Sequence, residues 1–233
     1  MKPVSFAGVI QIKAPSRSAA FDNAAVSGLV STILQEVRLK GDSAVRAYSQ
    51  EFDQITLDEF EVKDADRVAA VAALDPQTRA DTEFAIDNVK RFAQAQLATI
   101  LPLDVEPLPG VFMGHRVIPI EKVGCYVPGG RYPLLSAPIM TIVPAKVAKV
   151  DQVIACLPPN AHNAMIAGCH LAGADRIFRI GGAQAIAAMA YGTESVPAVY
   201  KIMGPGNAFV NEAKRQVFGP VGIDQLAGPS EIY

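Results

Sequence analysis

The chain has 233 residues, of which 50% are hydrophobic and 19% are charged, a balance typical of globular proteins and not of disordered ones. Its 21 basic and 23 acidic residues give a net charge of −2, which indicates neither a nucleic-acid partner nor an anionic membrane partner. No apolar run is long enough to span a bilayer, and the first residues lack the basic start and apolar core of a secretory signal.

The three cysteines are widely spaced and form no metal-binding motif. They are Cys125, Cys156 and Cys169. An odd, scattered set in a chain of this size indicates reduced thiols, so we expect a cytoplasmic protein.

The first part of the chain is predicted to be helical, because its apolar residues recur with the spacing of one helix face. The four predicted helices cover Val26–Val37, Ser43–Glu51, Asp64–Leu74 and Pro76 to about Leu97. Gly41 is expected to end the first helix and Asp42 to cap the second. We expect these apolar stripes to face a core and assign no chemistry to them.

The pattern changes near Leu101. Pro102, Pro107 and Pro109 indicate an irregular crossing, after which Val111–Pro119 and Lys122–Val127 are predicted strands.

From Gly124 onward the chain repeats a short apolar strand, a turn with glycine and an alanine-rich helix. The predicted strands are Val123–Val127, Gln152–Leu157, Arg176–Ile180, Ala198–Met203 and Val221–Leu226. The helices between them are about Ala137–Ala148, Ala161–Ala172, Ala183–Tyr191 and Ala208–Phe218. This alternation predicts an α/β fold with a Rossmann-like, doubly wound parallel sheet. We expect residues 123–233 to form a nucleotide-binding domain, preceded by residues 1–122 as the helical part of an incomplete first α/β domain.

Ligands of such sheets bind beyond the carboxyl ends of the strands. Four glycine-bearing turns are expected at that edge: Pro128–Arg131, Gly181–Gln184, Gly204–Asn207 and Ala227–Glu231. A helix N-terminus beside such a turn suits a phosphate. Tight strand-to-helix junctions also require glycine, and for a single turn that explanation is the better one. Four turns meeting at one edge favour a phosphate-bearing ligand such as a dinucleotide.

Other common sites are missing from the sequence. There is no G-x-G-x-x-G after the first strand of the repeat and no G-x-x-x-x-G-K-[ST] loop. His115, His162 and His170 have no partners at metal-ligand spacing and are expected at the surface. From the residues alone, the chain offers a binding edge without a proton-transfer group.

Longer motifs at these turns resemble the histidinol dehydrogenase family. They are YVPGG from Tyr126, GGAQAIAA from Gly181, YGTESVP from Tyr191, KIMGPGNAFV from Lys201, EAKRQV from Glu212 and GIDQLAGPSE from Gly222. The resemblance is close from Gly110 to Glu231 and looser over the preceding helices.

The resemblance implies NAD-dependent oxidation of a primary alcohol to a carboxylate through an aldehyde, in a zinc-dependent homodimer. Tyr126, Gln184 and Asn207 match the family's NAD-contacting positions, and Ser230 matches a substrate-contacting serine. A tyrosine ring can stack on a base, and amide groups can bind ribose or phosphate oxygens. The family's glutamate–histidine pair and zinc ligands lie beyond Tyr233, so we expect no catalytic or metal-binding residue in this chain and no alcohol oxidation by it alone.

The segment RYPLLS from Arg131 departs from the usual histidinol dehydrogenase pattern and resembles a branch that includes sulfopropanediol dehydrogenase. Arg131 is either a clamp for an anionic substrate or a surface arginine without a ligand, and the sequence leaves both open. The substrate is therefore either histidinol or a small anionic diol. A non-catalytic, truncated homologue that binds nucleotide is the alternative from a different functional class.

Overall fold

The structure is a computed structural model that describes residues 24–129 and 133–228. Its helices are α1 (Ala24–Lys40), α2 (Asp42–Tyr48), α3 (Asp64–Ala72), α4 (Pro76–Ala98), α5 (Ser136–Val147), α6 (Asn163–Leu171), α7 (Gly182–Tyr191) and α8 (Ala208–Val217). A π-helical segment, Ser49–Asp53, continues α2. The strands are β1 (Leu103–Leu108), β2 (Val111–His115), β3 (Lys122–Tyr126), β4 (Gln152–Leu157), β5 (Arg176–Arg179), β6 (Lys201–Met203) and β7 (Gly222–Ile223).

Five strands form a parallel sheet in the order β5-β4-β3-β6-β7. The chain moves outward from β3 to β5, returns to the other side of β3 for β6, and then moves outward again to β7. This is the doubly wound arrangement with its switch point between β3 and β6. The predicted α/β fold with a Rossmann-like parallel sheet is confirmed.

Alternate residues of the strands supply two apolar cores, one on each face of the sheet. On β4, Ile154 and Cys156 belong to the core that contains α1, α7 and α8. Val153, Ala155 and Leu157 belong to the other core, which contains α5 and α6. Each fully buried Ile or Leu contributes roughly 1.5–3 kcal/mol to folding. Burial on both faces explains why these strands are continuously apolar in the sequence.

The N-terminal helices form an outer layer on both faces. Helix α1 packs on α7 and α8, whereas α3 packs on α6 and α4 on α5. The buried side chains of α1 are Val30, Ile33, Leu34 and Val37. The prediction that this apolar stripe faces a core is therefore confirmed.

Asp42 does not cap the second helix as predicted. Gly41 is the N-cap, with φ of 56°, and Asp42 is the first helical residue. The Asp42 N–H donates to Glu194 Oε2 at 2.7 Å, so a residue far along the chain provides the missing acceptor. The Asp42 carboxylate in turn accepts hydrogen bonds from the hydroxyl and the N–H of Ser195. These contacts fasten α2 to the segment that follows α7.

The predicted irregular crossing before Val111 is wrong, because β1 lies there and pairs with β2 in an exposed antiparallel hairpin. The pairing register shifts between Val105 and Leu108, around Pro107. Proline has no N–H for a regular ladder, and this irregularity accommodates it. Strand β2 ends at His115 and not at Pro119, and His115 is exposed as expected.

Two predicted strands of the parallel sheet are shorter than the apolar pattern suggested. Strand β6 begins at Lys201 and not at Ala198, and β7 covers only Gly222–Ile223. Val199 N–H donates instead to Met189 O at 2.8 Å, which ties this approach to the end of α7. Of the apolar residues left outside these two strands, Val199 and Val221 are buried, whereas Tyr200 and Leu226 are exposed.

Candidate functional site

A cavity of about 630 Å³ lies at the carboxyl ends of the parallel strands. Its wall includes Pro128 and Gly129 after β3, Pro158 after β4, Gly182 after β5 and Asn207 after β6. The predicted convergence is thus confirmed for the described residues of the turns after β3, β5 and β6, while most of the fourth predicted turn, Ala227–Glu231, lies outside the described residues. The cavity occupies the switch point between β3 and β6, where doubly wound sheets bind their ligands.

The glycines of these turns are required by contacts between the turns themselves. A Cβ atom on Gly129 would lie 2.7 Å from Pro158 Cγ, and one on Gly181 would lie 3.2 Å from Pro158 Cα. Gly204 has φ of +115°, and a Cβ atom there would collide with Tyr126 O. Tight packing therefore explains these glycines without a ligand. Only the polar groups of the cavity therefore indicate a ligand.

Gln184 is the clearest such group. It lies in the first turn of α7, lines the cavity and is 1% exposed. Its Oε1 atom is buried and has no hydrogen-bond partner among the described residues. A buried acceptor without a partner costs about 1–3 kcal/mol, which a ligand that donates a hydrogen bond would recover. The positive end of the α7 dipole lies beside it and favours an anionic group.

Tyr126 links the end of β3 to the start of α7. Its hydroxyl accepts a hydrogen bond from the Gly182 N–H at 3.2 Å. Burial raises the pKa of Tyr126 to about 12, so its hydroxyl stays protonated at neutral pH and retains a hydrogen to donate. The residue is only 4% exposed, whereas Phe52 and Phe209 on the cavity wall are 45% and 40% exposed. Those two rings offer more surface for stacking than Tyr126 does, and base stacking by Tyr126 stays a prediction.

Asn207 forms the N-cap of α8. Its Oδ1 atom accepts a hydrogen bond from Val210 N–H at 3.0 Å, as preferred at this position. The capping contact fixes the side chain at the cavity wall and uses only its oxygen. The amide N–H groups of Asn207 suit a ligand oxygen, in line with its predicted role, which stays a prediction.

Lys214 and Asp224 hold the turn that leads to Asn207. Lys214 is fully buried, forms an ion pair with Asp224 and donates to Gly204 O at 2.9 Å. Asp224 also accepts from the Gly204 N–H at 2.8 Å. Burial alone would raise the pKa of Asp224, but the hydrogen bonds from Lys214 and Gly204 outweigh it and hold the pKa below its ordinary value. Both backbone polar groups of Gly204 are therefore fixed by one ion pair.

The N-terminal helices also contribute to the cavity, which was not predicted from the sequence. Leu29 and Ile33 of α1 line it, together with Phe52 and Asp53 of the π-helical segment. Gln54 then adopts a left-handed conformation, with φ of 57°, and ends the segment. No local sequence pattern marks these four residues as part of a site, since they follow ordinary helical spacing far from the glycine-bearing turns.

Two predicted site residues lie outside the described residues. These are Arg131 and Ser230, the candidate substrate contacts. Of the histidines, His162 is exposed as expected, but it also lines the cavity and caps α6 by accepting from Ala164 N–H at 3.1 Å. The cap explains its position without assigning it any chemistry.

Residues 24–129 and 133–228 contain no group of three or more His, Cys, Asp or Glu side chains that could hold a metal ion. The cysteines in this part are all buried and free of disulfides. In the same described ranges, no helix is both long and apolar enough to cross a membrane.

Comparison with known proteins gives one consistent family. The family model for histidinol dehydrogenase matches residues 16–233. A histidinol dehydrogenase homolog from Mesorhizobium japonicum is 49% identical, over 90% of this chain and 42% of that protein. Histidinol dehydrogenase from Methanosarcina mazei is 45% identical, over 89% of this chain and 48% of that protein. Sulfopropanediol 3-dehydrogenase from Ruegeria pomeroyi is 40% identical, over 94% of this chain and 51% of that protein.

A solved structure supports the same relationship. The crystal structure of histidinol dehydrogenase from Elizabethkingia anophelis has a TM-score of 0.82 and 31% identity, and the match covers 95% of this chain and 50% of that one. The chain spans about half the length of the curated relatives it matches.

Proposed function

This chain belongs to the histidinol dehydrogenase family, and from that premise we propose that it forms the NAD-binding part of a dehydrogenase that oxidises a primary alcohol to a carboxylate through an aldehyde. The observation that carries this proposal is Gln184, a buried residue of the cavity wall whose Oε1 atom has no partner among the described residues. It lies at the switch point of a doubly wound sheet, where a dinucleotide is expected.

The described residues fit NAD. The N-terminus of α7 suits the pyrophosphate, and Gln184 Oε1 suits a hydroxyl or amide donor of the ligand. The Asn207 amide supplies donors for ribose or phosphate oxygens, and the exposed rings of Phe52 and Phe209 offer apolar surface to a base. When bound, NAD supplies the acceptor for the hydride that the alcohol carbon loses. The chain's own residues would bind and orient it, with Tyr126 holding Gly182 in place.

Two substrates compete within this proposal. Relatives named histidinol dehydrogenase and sulfopropanediol 3-dehydrogenase both match the chain well. We propose histidinol as the leading substrate and a small anionic diol such as sulfopropanediol as the alternative, with Ser230 and Arg131 as substrate contacts. A non-catalytic nucleotide-binding homologue remains the proposal from a different functional class.

The described residues do not fit the zinc ion that the resemblance implies, since they provide no cluster of metal ligands. No step of the reaction is assigned to zinc for that reason. We further propose a homodimer, supported by exposed apolar side chains such as Phe112 and Met113 on the β1–β2 hairpin. A cytoplasmic location is proposed from the free, buried cysteines, which suit a reducing compartment.

Calorimetric titration of the chain with NAD tests the proposal. We expect Gln184→Ala to weaken NAD binding by about tenfold, since a hydrogen bond in a buried site is worth roughly 1–1.5 kcal/mol. Gln94→Ala is the matched control, because Gln94 is an exposed glutamine on α4, away from the cavity. Absence of NAD binding by the unmodified chain, or equal binding by the Gln184 variant, contradicts the proposed site.

A further inference from the structure

Asp53 is the second polar side chain at the cavity whose contacts are incomplete. It ends the π-helical segment, lines the cavity and is partly buried. Its Oδ2 atom is fully buried and has no hydrogen-bond partner among the described residues. Gln184 and Asp53, which are far apart in the sequence, therefore both line this cavity and both carry a buried acceptor oxygen without a partner among the described residues.

The position of Asp53 is unfavourable for the protein without a ligand. A carboxylate needs hydrogen bonds or a cation when water is removed from it, and no described cation is paired with Asp53. Burial accordingly raises the pKa of the Asp53 carboxyl above its ordinary value. Packing does not require a charged group at this position. The presence of Asp53 therefore indicates that a bound molecule supplies the hydrogen bonds that it lacks.

The sheet itself lacks a carboxylate that dinucleotide sites commonly use. In Rossmann folds an acidic residue after the second strand accepts hydrogen bonds from a ribose diol. Here β4, the neighbour of β3, is followed by Pro158, Pro159 and Asn160, none of which is acidic. Asp53 reaches the same cavity from the N-terminal helices and provides the missing acceptor type.

We propose that Asp53 binds a ribose diol of the dinucleotide, with its carboxylate oxygens accepting hydrogen bonds from the two hydroxyls. This proposal rests on the proposed function, because it takes the ligand of the cavity to be NAD. It assigns part of the cofactor site to the N-terminal helical region and not to the glycine-bearing turns.

The direction in which NAD affinity changes when the Asp53 charge is removed distinguishes hydrogen bonding to the ribose diol from repulsion between charges. NAD carries a negatively charged pyrophosphate, so a nearby carboxylate that makes no hydrogen bond to the ligand would weaken binding. Removal of that charge would then strengthen binding. A carboxylate that accepts from a diol has the opposite effect, since its loss leaves two hydroxyls without an acceptor.

The test is calorimetric titration with NAD, together with thermal unfolding of the unliganded protein, for the unmodified chain, Asp53→Asn, Gln184→Ala and Glu51→Gln. Glu51 is the matched control, because it is an exposed carboxylate on the same π-helical segment. We expect Asp53→Asn to weaken NAD binding by about tenfold or more while the melting temperature stays equal or rises. Glu51→Gln should change neither quantity.

Equal or tighter NAD binding by Asp53→Asn would overturn the proposal, and so would weaker binding accompanied by a lowered melting temperature, which indicates a structural role. If the unmodified chain binds NAD and only Gln184→Ala weakens it, the assignment of Asp53 fails and the proposed function stands. If the unmodified chain does not bind NAD, both fail.

Discussion

The ammonium group of Lys214 is fully buried and forms an ion pair with the carboxylate of Asp224, which is itself exposed to solvent. Together these two side chains bind both backbone polar groups of Gly204. Lys214 lies in α8 and Asp224 follows β7, so the pair joins two elements beneath the turn after β6. A fully buried lysine is rare unless it is paired, which makes this contact a structural requirement of the cavity wall.

We expect Asp224→Asn to lower the free energy of unfolding by about 3 kcal/mol, because it leaves the buried ammonium group of Lys214 without its partner. Urea denaturation measures this change, and Asp87→Asn, at an exposed aspartate of α4, serves as the control. The double variant Lys214→Met/Asp224→Asn should lose less than Asp224→Asn alone, since it removes the unpaired charge. A loss within 0.5 kcal/mol, about the size of an ordinary surface change, would show that the pair does not hold this turn.

Gly182 is required by backbone conformation as well as by space. Its φ is +63°, and a Cβ atom there would lie 2.6 Å from Gln184 Oε1. We expect Gly182→Ala to cost about 1–2 kcal/mol in unfolding free energy, and to weaken NAD binding by displacing the Gln184 side chain.

Gly28→Ala is the opposite case, since Gly28 lies within α1 and a Cβ atom there would meet nothing within 4 Å. That substitution should stabilise the protein by roughly 0.5–1 kcal/mol.

The stability that the hydrogen bonds of Glu212 provide where α8 meets α1 should depend on pH. Hydrogen bonds from Arg215 lower the pKa of Glu212 from 4.5 to about 2, and Gln216 and Ser27 add to this effect. A carboxyl whose folded-state pKa is depressed stabilises the fold above its unfolded pKa, and this contribution is lost as the pH falls from about 4.5 towards 2. The melting temperature should therefore fall more between pH 6 and pH 3 in the unmodified protein than in Glu212→Gln.

The control for that comparison is Glu83→Gln, which removes an exposed carboxylate paired with Arg79 on α4. If Glu212→Gln shows the same loss of melting temperature on acidification as the unmodified protein, the Glu212 contacts do not contribute to acid sensitivity.

The cysteines should be unreactive in the folded protein. Cys125, Cys156 and Cys169 are all buried, and burial raises the pKa of each thiol, that of Cys125 to about 12. The thiolate is the reactive form, so a disulfide reagent at pH 8 should label the native chain slowly and all three cysteines rapidly in urea. Fast labelling of one cysteine under native conditions would mean that its surroundings open locally.

The parallel sheet and the helices that follow its strands were predictable, because each strand is a continuous apolar run followed by a glycine-bearing turn. An apolar run, however, does not by itself distinguish a paired strand from an unpaired segment. The pattern therefore placed Ala198 in β6, although the region before Lys201 bonds to the end of α7. It also missed β1, where Pro107 argues against a strand and the irregular register of an exposed hairpin accommodates it.

The polar residues of the cavity were only partly predictable. Gln184 and Asn207 follow the glycine-bearing turns, so the sheet topology brings them together. Phe52 and Asp53 follow α2 and reach the same cavity because α1 and α2 both pack on α7, a contact between distant parts of the chain. Helical spacing indicates that a face is buried, but it does not indicate which distant surface covers that face.

The dependence of the N-terminal helices on α7 and the segment after it has a consequence for synthesis on the ribosome. Asp42 and Glu194, which fasten α2 in place, are separated by 152 positions, and translation of that distance takes about 8–30 s at typical rates. During this interval the apolar face of α1 has left the ribosome before the helices that cover it exist. We expect nascent chains stalled before Gly182 to be cleaved by protease in α1, and chains in which α7 and α8 have both left the ribosome to be protected there.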